Sequence, residues 1–168
     1  MEDNNQNKRT TRFTRDKTED ISNLLYGKIP PQARELEEAV LGALLIEGHC
    51  IEEIIDILKP ESFYVDAHAT IFRSILSLYE RSNPIDLLTV TEDLRRMAKL
   101  EEIGGAYYLS ELTNKIASSA NIVYHSRIIV QKFISREMIR ISNDVIRDSY
   151  EDTTDVFDLL DTANDKFL

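Results

Sequence analysis

The chain has 168 residues, 42% hydrophobic and 30% charged, with a net charge of −10 at neutral pH and one cysteine. A single cysteine excludes an internal disulfide, no apolar run approaches the roughly eighteen residues of a membrane span, and the first residues lack the apolar core of a signal peptide. The expectation is a cytoplasmic protein with no membrane association, large enough for one core with an appendage.

Charge is unevenly placed. Residues 1–28 hold six cations (Lys8, Arg9, Arg12, Arg15, Lys17 and Lys28) against five anions, which leaves residues 29–168 at −11. Nucleic-acid affinity comes mainly from Lys and Arg neutralising phosphates, so an acidic body of this kind predicts a protein partner instead. Residues 1–28 also lack the large apolar groups that repay ordering, and read as a flexible basic and polar tail.

Pro30 and Pro31 mark the entry to a helical head over residues 29–118. A first helix buries Leu36, Val40, Leu44 and Leu45 and is ended by Gly48, with Gly42 implying a close helix approach. Cys50, Ile51, Ile54, Ile55 and Leu58 predict a short second helix stopped by Pro60. Asp66 is the expected cap of a third, which buries Ala69, Ile71, Phe72, Ile75, Leu76 and Tyr79, and His68 in its first turn reads as a packed or capping residue. Thr89 or Thr91 begins a fourth with Val90, Leu94 and Met97 inward. Gly104-Gly105 is a backbone device, and a fifth helix over about 106–115 buries Tyr108, Leu109, Leu112 and Ile116.

From Ser119, an expected N-cap, the chain runs to Tyr150 without Gly or Pro, enough for one helix about 45 Å long. Its apolar residues form two adjoining rows, one of Val123, Val130, Ile134, Met138, Ile141 and Val145, the other of Ile122, Ile129, Phe133, Ile139, Ile146 and Tyr150. After a polar turn, Val156, Leu159, Leu160, Ala163 and Phe167 predict a second helix with a single buried stripe. A narrow stripe cannot cover a wide face, so residues 119–168 predict an antiparallel helical hairpin whose first row is covered either by the head or by another subunit. Asp155, Asp158, Asp161 and Asp165 line the opposite, acidic face of the second helix. With no period-two alternation, the fold class is all-α: a compact helical head followed by a C-terminal antiparallel helical hairpin.

None of the glycines belongs to a phosphate-cradling loop, no nucleophile elbow or HExxH is present, and His49, His68 and His125 stand in no metal-ligand spacing. The segment is therefore expected to carry no catalytic residue, cofactor or metal. The residues alone predict a helical interaction domain, as either an assembly domain of a larger protein or a free-standing adaptor.

Several local patterns, in order, sharpen this. They are Glu37 with Val40-Leu41-Gly42; Phe63-Tyr64, His68 and Ile71-Phe72; Pro84 to Thr89; Gly104-Gly105 with Tyr108-Leu109; Ala120-Asn121-Ile122 with Tyr124; Arg136 to Ile139; and Leu159-Leu160-Asp161. Over about residues 30–168 the set resembles the N-terminal domain of the DnaB-like replicative helicases of bacteria. The resemblance implies a segment upstream of a RecA-like motor domain that would hold ATP and Mg and all catalytic residues. It further implies pairing with itself into dimers, a trimer of dimers within a hexamer, and docking of DNA primase. A helicase loader is a further candidate partner, and single-stranded DNA would be met only by the full-length ring.

Overall fold

The structure, a computed structural model, describes residues 27–115, 119–151 and 155–167. The chain divides at Pro30–Pro31 into two units, and every element below belongs to the second. The predicted tail, apart from residues 27 and 28, lies outside the described residues, as does Ile116.

The described elements are all helical: α1 (Arg34–Ile46), a 3-10 turn (Gly48–Cys50), α2 (Ile51–Ile54), a second 3-10 turn (Pro60–Ser62), α3 (Asp66–Glu80), α4 (Leu87–Arg96), α5 (Gly105–Asn114), α6 (Ile122–Ser149) and α7 (Val156–Phe167). The head core is built where the apolar faces of α1, α3, α4 and α5 converge, with Leu41, Leu44, Ile71, Phe72, Ile75, Leu94, Leu109 and Leu112 all buried. Phe72 meets Phe63 in a tilted ring pair with centroids 5.0 Å apart. The first half of α6 closes this core through Ile122 and Ile129, with Val123 and Val130 at its margin.

Local chemistry differs from the sequence expectations at several boundaries. Gly48 sits beyond the α1 cap, Glu47, and serves close approach: a Cβ there would stand 2.2 Å from the Ile85 carbonyl oxygen. Asp66 is the first residue of α3 and caps nothing, because Val65 holds the cap position. The two amides leading into α3 are met instead from α1, where Glu37 Oε1 accepts from Tyr64 N at 2.7 Å and Oε2 from Val65 N at 3.3 Å. Helix α4 starts two residues earlier than Thr89, on a capping box in which Asp86 Oδ1 accepts from Leu88 N and Thr89 N. Met97, expected inside, is its exposed C-cap. Gly104 and Gly105, at φ 103° and 75°, let the chain turn into α5 through left-handed backbone.

Asp93 ties α4 to α3. Its buried carboxylate accepts from Ser74 Oγ at 2.7 Å, Arg81 at 2.7 Å and Arg96 at 2.6 Å. Burial opposes its charge, but the hydrogen bonds from Arg81 and Ser74, the Arg81 charge and the Arg96 contact outweigh burial and hold the carboxyl below its ordinary value. A depressed folded-state value means that Asp93 contributes its stability above the unfolded value of about 3.9 and loses it as pH falls through the lower folded value. Asp93→Asn is expected to cost about 2 kcal/mol near neutral pH. In denaturant melts across pH the gap to wild type should close only in that acidic window; a gap independent of pH would contradict this role.

Candidate functional site

The hairpin is where the fold leaves most surface unaccounted for. Helix α6 has 28 residues and so extends about 42 Å. Asn121, not Ser119, is its cap, and it makes no side-chain capping bond. Midway along α6, Arg136 fastens the helix to the head, donating to the carbonyls of Pro31 and Ser62, both at 2.8 Å. Its guanidinium also lies 5.5 Å from the Tyr64 ring centroid and 5.8 Å from that of Phe133.

The row predicted as a subunit interface does not share one environment. Val123 and Val130 pack against the head core. Ile141, 8% exposed, is buried outside that core cluster, and Val145 beside it is half-buried. Between these two covered stretches, Ile134 and Met138 stand open, at 51% and 54% exposure. The second row divides similarly: Ile122 and Ile129 are core, whereas Ile139, Ile146 and Tyr150 are exposed. Helical spacing could not separate these cases, because which part of a row is covered depends on where the head ends and where α7 reaches.

Helix α7 corrects its predicted stripe. None of its residues is fully buried; Leu159 and Ala163 are half-buried, while Val156, Leu160 and Phe167 face solvent. Phe157, at 79% exposure, adds to this surface. At 100° per residue α7 thus has three faces: Leu159 and Ala163 on α6, an open apolar face with Val156, Leu160 and Phe167, and an acidic face. Asp155, Asp158, Asp161 and Asp165 are all exposed on or near that third face, and Asp155 Oδ1 also accepts from Phe157 N at 2.8 Å at the start of the helix.

Two polar clusters lie in the head. His68 is buried, with Nδ1 2.7 Å from Glu37 Oε2 and Nε2 2.6 Å from Tyr108 Oη. Burial, followed by the charge of Glu38, raises the Tyr108 phenol above its ordinary value, so it stays an O–H donor at neutral pH. With a neutral imidazole every partner is satisfied: Nδ1–H donates to Glu37 and Nε2 accepts from Tyr108. This cluster joins α1, α3 and α5 and holds no vacancy for a substrate. The second cluster, Glu47, His49 and Cys50, places a carboxylate, an imidazole and a thiol within 4.8 Å of one another. Linear spacing missed it because the 3-10 turn, not a helical repeat, brings the groups together.

One open groove, between α3 and α4, is lined by Arg81, Asp93 and Arg96, whose charges are already paired. No helix among the described residues is long and apolar enough to cross a membrane. What the described residues offer most of is exposed apolar and acidic surface on the hairpin.

Known proteins share this design. A family model described as the DnaB-like helicase N terminal domain matches residues 29–131. The chain is 50% identical over 135 residues to a replicative DNA helicase DnaB of Rhodothermus marinus, covering 80% of this chain and 14% of that protein. The crystal structure of the N-terminal domain of DnaB helicase from Mycobacterium tuberculosis is similar with a TM-score of 0.78 at 33% identity, covering 82% of this chain and 97% of that one. A DnaB-like replicative helicase whose structure was described together with its interactions with primase is similar with a TM-score of 0.66 at 26% identity, over 80% of this chain and 31% of that one. The chain thus covers nearly all of that solved N-terminal domain but only a minor part of the full-length relative, and it belongs to the DnaB-like helicase N-terminal domain family.

Proposed function

We propose that this chain is the assembly and partner-docking segment of a replicative helicase that unwinds duplex DNA at the fork in the cytoplasm. The observation that carries this reading is the uncovered apolar surface of the hairpin, made of Ile134, Met138, Ile139, Ile146 and Tyr150 on α6 with Val156, Phe157, Leu160 and Phe167 on α7. An apolar surface spread over two packed helices marks a place where another surface docks. A second copy is the occupant that family membership supports, giving dimers that assemble as a trimer of dimers within a hexamer. The division of labour follows: a head over residues 29–118 supplies rigidity, and a hairpin over 119–168 supplies contact. ATP, Mg and single-stranded DNA would be handled by the motor domains of the ring.

DNA primase is the proposed docking partner, supported by the described primase interactions of a similar helicase. The acidic face of α7 gives this chain a means of drawing in a basic partner surface, and a helicase loader would compete for the same collar. Charge of this kind acts mostly on association rate and salt dependence.

Two outcomes are expected. Ile134→Asp should leave helicity intact and stability within about 0.5 kcal/mol, while light scattering shows a shift towards monomer. Ile129→Asp, in the core, should unfold the head by circular dichroism. Loss of helicity in Ile134→Asp would place that residue in a core and remove it from the interface. Separately, Asp158→Asn with Asp161→Asn should slow association of the full-length helicase with the cognate primase C-terminal domain and flatten its salt dependence. Unchanged rates and slopes would remove the acidic face from docking, and absence of any binding would remove primase.

A further inference from the structure

The turn that closes α1 gathers three metal-ligating groups that assembly and docking do not use. Glu47 is the C-cap residue of α1, and Gly48–Cys50 forms the 3-10 turn that follows. In that turn Cys50 Sγ lies 3.8 Å from Glu47 Oε2 and 3.9 Å from His49 Nε2. We propose that Glu47, His49 and Cys50 bind one zinc-class divalent cation.

The donor set selects the class of ion. A thiolate with an imidazole and one carboxylate suits zinc or cobalt, whereas magnesium and calcium require oxygen shells that this turn does not offer. The spacing is close to what the ion needs: metal–sulfur and metal–nitrogen bonds at a tetrahedral angle put the two ligand atoms about 3.5 Å apart. The observed 3.9 Å between Cys50 Sγ and His49 Nε2 therefore asks for a closure of only a few tenths of an ångström. Cys50 is 2% exposed while Glu47 and His49 reach solvent, so the ion would rest on a buried sulfur with a fourth position open to water.

The surroundings favour a cation. The C-terminal end of a helix carries partial negative charge, and the last turn of α1 contains no basic residue to answer it. Glu47 is exposed, and its Oε2 accepts from the Cys50 thiol, whose proton the ion would displace on binding. The cluster also has an outer support, since Ser119 Oγ donates to Glu47 Oε2 at 2.6 Å and so orients the carboxylate. The turn itself is held in place where Gly48 abuts Ile85, which limits the rearrangement that binding would demand. Because Ser119 stands at the approach to α6, a bound ion would brace the end of α1 against the start of the hairpin.

Titration of the whole chain with cobalt, followed by optical absorption, tests this. One equivalent should produce a thiolate-to-cobalt charge-transfer band that zinc abolishes and magnesium does not affect. Zinc at saturating concentration should raise the melting temperature. Cys50→Ser should remove the band. Because Cys50 is buried, the exposed-site variant His49→Gln gives an independent reading and should weaken affinity roughly ten-fold or more, whereas His125→Gln should not change it. Absence of the band in wild type, or an affinity that His49→Gln leaves unchanged, would overturn the site.

Discussion

At about 42 Å, α6 is longer than the face of the head available to cover it, and much of the molecule follows from that mismatch. Its first half completes the head core through Ile122 and Ile129, and Arg136 fastens the midpoint to Pro31 and Ser62. Beyond that point the helix must find another cover. Helix α7 packs against α6 with Leu159 and Ala163 only half-buried, and so leaves part of the long helix open. The remaining apolar residues are divided between Ile134 and Met138, Ile139, Ile146 and Tyr150, and the open face of α7. In the proposed assembly this residue of uncovered surface is what joins one copy to another.

A protruding hairpin can transmit a defined geometry only if its base is rigid, and the head contains two polar devices suited to that. Glu37 spends its carboxylate on the amides that lead into α3 and on His68, which in turn reaches Tyr108 on α5. Asp93 joins α4 to α3 through Ser74 and Arg81. Both carboxylates are buried and fully engaged, so removing a single partner leaves an expensive unpaired group. Such networks specify one arrangement of the head helices more sharply than apolar packing alone. The Arg136 anchor then ties the hairpin to this base.

The helical character of the chain and most of its core were legible because apolar spacing repeats at the helical period through α1, α3, α4 and α5. The long Gly- and Pro-free stretch likewise foretold α6, and the local patterns foretold the family. The caps were less legible. Asp66 and Ser119 have good capping chemistry, yet the amides before α3 are met by Glu37 from a distant helix, and Ser119 turns to Glu47. Long-range competition of this kind leaves no local signature. The same limit applied to the hairpin: spacing identified the apolar rows, but the boundary between covered and open residues is set by the reach of the head and of α7. The Glu47–His49–Cys50 cluster was hidden for a related reason, as adjacent residues become co-ligands only in the 3-10 turn.

Amide hydrogen exchange of the chain, compared between dilute monomer and the assembled state, bears most directly on the claim that the uncovered hairpin is the contact surface. Contact through the hairpin requires added protection in the second half of α6 and in α7 on assembly, with α1, α3 and α4 little changed. Protection gained only on the head helices, or none gained on the hairpin, would contradict it.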